Sequence, residues 1–182
     1  MERLVSILIS SKIKQMRNAL PGKHIRVMLT ALILSGLATT AEAQRPNQEI
    51  QVGRWTISNV GQMPGGSVCT ASTTFNDGGA IGIMSEGSIA EIFVGQSGLR
   101  TTNGTKYDVA YSFDGGRWIR ATGEGGQGNI LMIPMAGALE AALRDFADMD
   151  ELDLQLPNNL TVSRSLSGSG AAIAALRRCI RG

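Results

Sequence analysis

Between Ile50 and Ile133 this chain repeats one pattern: a short stretch of alternating apolar and polar residues, then a turn rich in glycine, aspartate or asparagine. That rhythm constrains the fold most. A period of two sends one side of each stretch into a core, and Asp-Gly or Gly-Gly supplies the positive φ angles that tight reversals need. The stretches run 50–58, 68–75, 80–85, 88–95, 106–113, 117–123 and 129–134. Val52, Trp55 and Ile57 are the expected core side chains of the first. The connectors FNDGG (75–79) and FDGG (113–116) resemble each other, and each should join antiparallel neighbours.

The period then changes. In MAGALEAALRDFA (135–147), Met135, Leu139, Ala142 or Leu143, and Phe146 fall at helical spacing, with Pro134 just ahead where a helix start accepts it. Two further strands follow, ELDLQL (151–156) and LTVSRSL (160–166), joined by the turn PNN. Residues 169–180 return to helical spacing through Ala172, Ile173, Leu176 and Ile180, and Ser169 is placed to cap that helix. The expected class is mainly β (α+β): an antiparallel β-sandwich or partly closed barrel with one inserted helix and a C-terminal helix.

The first 43 residues read as an export signal. A segment carrying Lys12, Lys14, Arg17, Lys23 and Arg26 leads into the apolar run VMLTALILSGLATT, and AEA precedes Gln44 as a small-x-small cleavage site after Ala43. The run is shorter than a bilayer-spanning helix requires, and the alternative is an uncleaved N-terminal anchor. Cleavage leaves residues 44–182, a length suited to one domain with its own core and no membrane span. Met16 and Met28 are alternative starts that leave the mature chain unchanged.

Removing the leader reverses the charge. The whole chain carries 17 basic and 15 acidic side chains, and the leader holds six of the former and two of the latter, leaving 11 against 13. No nucleic-acid footprint remains. His24, the one histidine, lies in the leader, so the rest of the chain has no Ser-His-Asp or Cys-His machinery and no histidine-bearing metal site. No cofactor motif stands out either. GEGGQG (123–128) fits the dinucleotide pattern in letters only, because the strand-like NILMIP follows it where a helix N-terminus is needed, so it reads as a hairpin loop.

Cys69 falls on an early strand and Cys179 in the last helical turn. In an oxidising compartment they should form a bridge, worth about 4 to 5 kcal/mol by loop entropy, that pins the final helix to the sheet. The alternative is two buried free thiols.

Trp55 and Cys69-Thr70-Ala71, together with SLSGSGAAIAAL (165–176), resemble the invasion-associated locus B family of bacterial envelope proteins. Its members commonly carry a further cysteine soon after the tryptophan, which this chain lacks. The resemblance implies a small exported β-rich protein linked to host-cell invasion, with no established chemistry.

Three groups of residues are candidates for function. Trp118 stands between Arg117 and Arg120 and is either a core indole or an anchor for a partner, since Trp and Arg are enriched where binding energy concentrates. Asp145, Asp148, Asp150, Glu151 and Asp153 form the densest acidic stretch, either a solvated edge or a surface for a cation or basic partner, although no glycine supplies a calcium-loop bend. Asp77 and Asp114 are the carboxylate pair available for acid–base work, but Asp-Gly-Gly turns favour aspartate for backbone reasons alone. The sequons NGT (103–105) and NLT (159–161) matter only in a glycosylating pathway. These readings converge on a periplasmic non-enzyme that binds an envelope or extracellular protein, such as an inhibitor, immunity or invasion-type factor; the alternative location is secreted or peripherally attached to the outer membrane. A small-molecule or lipid carrier with a barrel pocket is the alternative.

Overall fold

The computed structural model describes residues 49–63 and 66–182, so the expected leader lies outside the described residues. The strands are β1 (Glu49–Val52), β2 (Trp55–Met63), β3 (Gly66–Thr74), β4 (Ala80–Glu86), β5 (Ile89–Gly95), β6 (Lys106–Phe113), β7 (Ile119–Gly125), β8 (Ile130–Pro134), β9 (Glu151–Leu156) and β10 (Leu160–Ser165). Two helices accompany them, α1 (Leu139–Asp148) and α2 (Ser169–Arg181). All ten strands join one antiparallel sheet in the order β1-β2-β3-β4-β5-β8-β7-β6-β9-β10, and the sheet does not close. Of the two architectures expected, the open barrel is therefore the nearer. The chain leaves β5, forms the β6–β7–β8 meander, and docks β8 back onto β5.

Register explains which face is buried. Ile57, Ala71, Ile83, Ile92 and Ile133 are successive cross-strand partners, so they form one row on one face, and none is more than 1% exposed. Burying each isoleucine contributes roughly 1.5–3 kcal/mol. Both helices pack on this inner face. α1 buries Ala142, Leu143 and Phe146, and α2 buries Ala172, Ile173, Ala175 and Leu176. The small alanines bring α2 close to β2 and β3. A chain of edge-to-face aromatics then crosses the interior: Trp55 meets Phe146 at 5.9 Å between centroids, Phe146 meets Phe113 at 6.4 Å, and Phe113 meets Tyr111 at 5.8 Å. One continuous core thus joins β2, α1 and β6.

The expected disulfide forms. Cys69 points inward from β3, fully buried, and bonds Cys179 in the last turn of α2 across a Cα separation of 6.2 Å. At the other end of α2 the Trp55 indole N–H donates to the Ser167 carbonyl at 3.0 Å. The helix is held to the first half of the sheet at both ends.

Both Asp-Gly-Gly connectors join antiparallel neighbours, β3 to β4 and β6 to β7, and GEGGQG supplies the end of β7 and its turn into β8. Three local expectations need correction. The stretch 50–58 is two strands, because Gly53 at φ 61 reverses the chain and pairs Val52 with Trp55, leaving Val52 half-buried. The inserted helix begins at Leu139, not Met135: the Met135 N–H still bonds the Ala90 carbonyl at 2.9 Å, and Gly137 at φ 91 makes the turn into the helix. Ser169 does not cap α2; Gly168, left-handed at φ 84, precedes it, and the Ser169 hydroxyl donates to the Ala147 carbonyl at 3.3 Å, tying α2 to α1.

Candidate functional site

On β6, Val109 and Tyr111 enter the core, so Asp108, Ala110 and Ser112 face the opposite, outer side. Register extends that outer face across three more strands. Ala110 lies opposite Arg120 on β7 and Gln155 on β9, and Gln155 lies opposite Thr161 on β10. Ser112 lies opposite Asp153, and Asp153 opposite Ser163. Ala110 is nearly covered and Ser112 fully so, its hydroxyl donating to the Gly116 carbonyl at 3.0 Å. Small side chains on β6 and longer ones on β7, β9 and β10 leave an open groove of about 570 Å³.

The predicted binding residues sit beside this groove. Trp118 lies just before β7 and is 39% exposed, so it is not a core indole. Arg120, two residues along on β7, is exposed, and so is Arg117, just before Trp118. Neither arginine has an ion partner among the described residues, where the ion pairs are Lys106–Glu124, Arg164–Asp77 and Arg177–Glu140. An exposed indole flanked by free guanidinium groups is a local concentration of the side chains that dominate binding surfaces.

The acidic stretch does not gather into one place. Asp145 and Asp148 are exposed on α1, Glu151 and Asp153 lie on β9, and Asp150 sits between them. Glu151 accepts a hydrogen bond from the Ser163 hydroxyl. Among the described residues no three histidine, cysteine or carboxylate side chains are grouped as a metal would require. What organises this region is Asp114, whose Oδ1 accepts the backbone N–H groups of Asp150 at 3.0 Å and Glu151 at 2.7 Å. That carboxylate fastens the β6–β7 turn to the start of β9.

Asp77 is committed elsewhere. Its Oδ1 accepts the Gly79 N–H at 2.9 Å, as the turn chemistry predicts, while Oδ2 accepts from Arg164 Nη2 at 2.7 Å. Hydrogen bonding from Arg164, then from the Gly79 backbone, holds the Asp77 carboxyl below the usual carboxylate range. The same Arg164 nitrogen donates to Gln96, and its guanidinium lies 4.6 Å from the centroid of Phe75, with Arg54 at 4.7 Å from that ring. Arg54 also donates to the Thr73 hydroxyl at 3.1 Å. Gly79 leaves room for this cluster: a Cβ there would come within 2.6 Å of Arg164 Nη2 and 2.7 Å of Gln96 Oε1, so the ends of those side chains would have to shift. Sequence reasoning missed this cluster. Arg164 looks like an ordinary strand charge until it is known to pair with Leu152, which turns it to the inner face.

Chemically, this leaves Asp77 and Asp114 as structural acceptors held in their turns. The inner face of the sheet is filled by α1, α2 and the aromatic chain, while the outer face carries the groove lined by Ala110, Arg120 and Gln155. Comparison with family models, curated proteins and solved structures finds no match to this chain.

Proposed function

We propose that this chain is an exported, periplasmic protein that performs no chemistry of its own and binds another macromolecule, an envelope or extracellular protein, through the corner formed by Arg117, Trp118 and Arg120. The observation that carries the reading is the exposed indole of Trp118 beside two arginines that have no ion partner among the described residues. Burying such an indole against a partner recovers apolar area that the monomer leaves in water, and guanidinium groups supply directed donors at its rim. The disulfide supports residence in an oxidising compartment. No helix among the described residues is long and apolar enough to cross a membrane. Kinship with the invasion-associated locus B family belongs to the same proposal. The carrier alternative needs a ligand inside the sheet, where the helices already pack.

The test is capture. The oxidised protein is immobilised, exposed to envelope and extracellular fractions, and compared with a Trp118→Ala variant by mass spectrometry. A stoichiometric protein partner depleted at least about tenfold in the variant supports the reading. An identical set of captured proteins from both contradicts it.

A further inference from the structure

The groove beyond Arg120 has a chemistry different from that of the Trp118 corner. Five polar side chains line it, those of Asp108, Arg120, Gln155, Asn159 and Thr161, over the methyl floor of Ala110. None of the five makes a side-chain hydrogen bond or ion pair among the described residues. Some polar groups nearby are engaged, Lys106 with Glu124, Ser163 with Glu151, and Ser112 with the Gly116 carbonyl. The groove therefore brings together five side chains whose donors and acceptors are open to a ligand.

We infer that this groove is a binding site for a neutral saccharide. Its volume of about 570 Å³ falls within the range of small-ligand sites. Elimination by charge and hydrogen bonding narrows the class. A phosphate or sulfate would meet the Asp108 carboxylate with only Arg120 to hold it. A metal ion would meet Arg120 with a single carboxylate. An apolar ligand would strip water from five polar groups and return nothing to them. The lining instead mixes one acceptor-only carboxylate, one donor-only guanidinium, two amides that do both and one hydroxyl that does both. Sugar hydroxyls donate and accept at once, so adjacent hydroxyls can satisfy Asp108 and Arg120 together. The two opposite charges cancel, which favours a neutral sugar over an acidic one.

This site shares Arg120 with the proposed protein-binding corner, but the two are separable through Trp118, which does not line the groove. The test is saturation-transfer NMR on the oxidised protein with maltose, lactose, N,N′-diacetylchitobiose and digalacturonate as probes. At least one neutral sugar should show transfer, with binding weakened about tenfold in Asp108→Ala and in Gln155→Ala and unchanged in Trp118→Ala. Both altered side chains are exposed, and a retained unfolding midpoint verifies that each variant is folded. Transfer from none of the probes overturns the inference, as does transfer indifferent to both substitutions. Transfer from digalacturonate alone overturns it too, since that is charge attraction to Arg120. Protein capture that is identical in native protein and Trp118→Ala, with sugar binding intact, would sink the proposed function and leave this site standing; Trp118-dependent capture without sugar transfer would sink this site alone.

Discussion

Arg164 on β10 and Asp77 in the β3–β4 turn are 87 residues apart in the chain, yet Arg164 Nη2 lies 2.7 Å from Asp77 Oδ2. β10 is an edge of the sheet, and nothing pairs it to β1. A side-chain latch, not a strand pairing, holds the last strand across the open barrel. An inward charge on an edge strand also discourages pairing with other chains.

Removing the two partners should have unequal effects. The Arg164 side chain is only 12% exposed and packs on Phe75, whereas Asp77 is 48% exposed. Arg164→Ala is expected to lower stability by about 2 kcal/mol, through lost packing and an abandoned Gln96. Asp77→Asn should cost less. Urea unfolding of both variants, read from midpoints at constant slope, checks the order.

The latch also fixes a pH dependence. The folded pKa of Asp77 is depressed below its ordinary 3.8, so its contribution is complete above that value and disappears as pH falls through the lower, folded one. The stability gap between the native protein and Asp77→Asn should hold steady from neutral pH down to mild acid, then close below pH 3.8. A gap of undiminished size in strong acid would contradict the assignment.

The disulfide closes a separation of 110 residues. Cys69→Ser with Cys179→Ser should lower stability by about 4 kcal/mol, and by less if the reduced chain keeps residual structure. Ellman titration of the denatured native protein should find no free thiol. Amide exchange should then show α2 opening ahead of β3 to β5 in the double variant, because the helix keeps its apolar face but loses one of its two end attachments.

Gly82 on β4 lies directly opposite Phe93 on β5 and Ser72 on β3. A methyl at Gly82 would overlap the Phe93 ring and the Ala71 carbonyl oxygen. Gly82→Ala should therefore destabilise by about 3 kcal/mol. Adding Phe93→Ala should recover only part of that in thermal unfolding, since the backbone carbonyl cannot move aside as a ring can.

Periodicity made most of the strands legible: Lys106–Phe113 and Glu151–Leu156 are found where alternation puts them. The hairpin at Gly53 is signalled only weakly, by Gly53 itself and by the three-residue step from Val52 to Trp55 that breaks the period of two. Met135 misled by being buried from a loop at a spacing that also suits a helix. The Cys69–Cys179 bond was legible because the described residues have no other cysteine to offer. Arg164, Asp77, Gln96, Phe75 and Arg54 were not, since the cluster draws on four separated parts of the chain and exists only once the sheet curls. The groove depends likewise on register: Ala110, Gln155 and Thr161 become neighbours through two strand pairings that no local pattern announces.

The central claim, that the corner at Trp118 is where this protein meets its partner, is tested most directly by photo-crosslinking in the producing cell. A photoreactive amino acid replaces Arg117, leaving Trp118 intact, and a second version carries it at Asn103, an exposed loop position away from this corner. The account predicts one discrete adduct from position 117, absent from position 103 and lost when Trp118→Ala is added. Equal adducts from both positions, or none from 117, would contradict it.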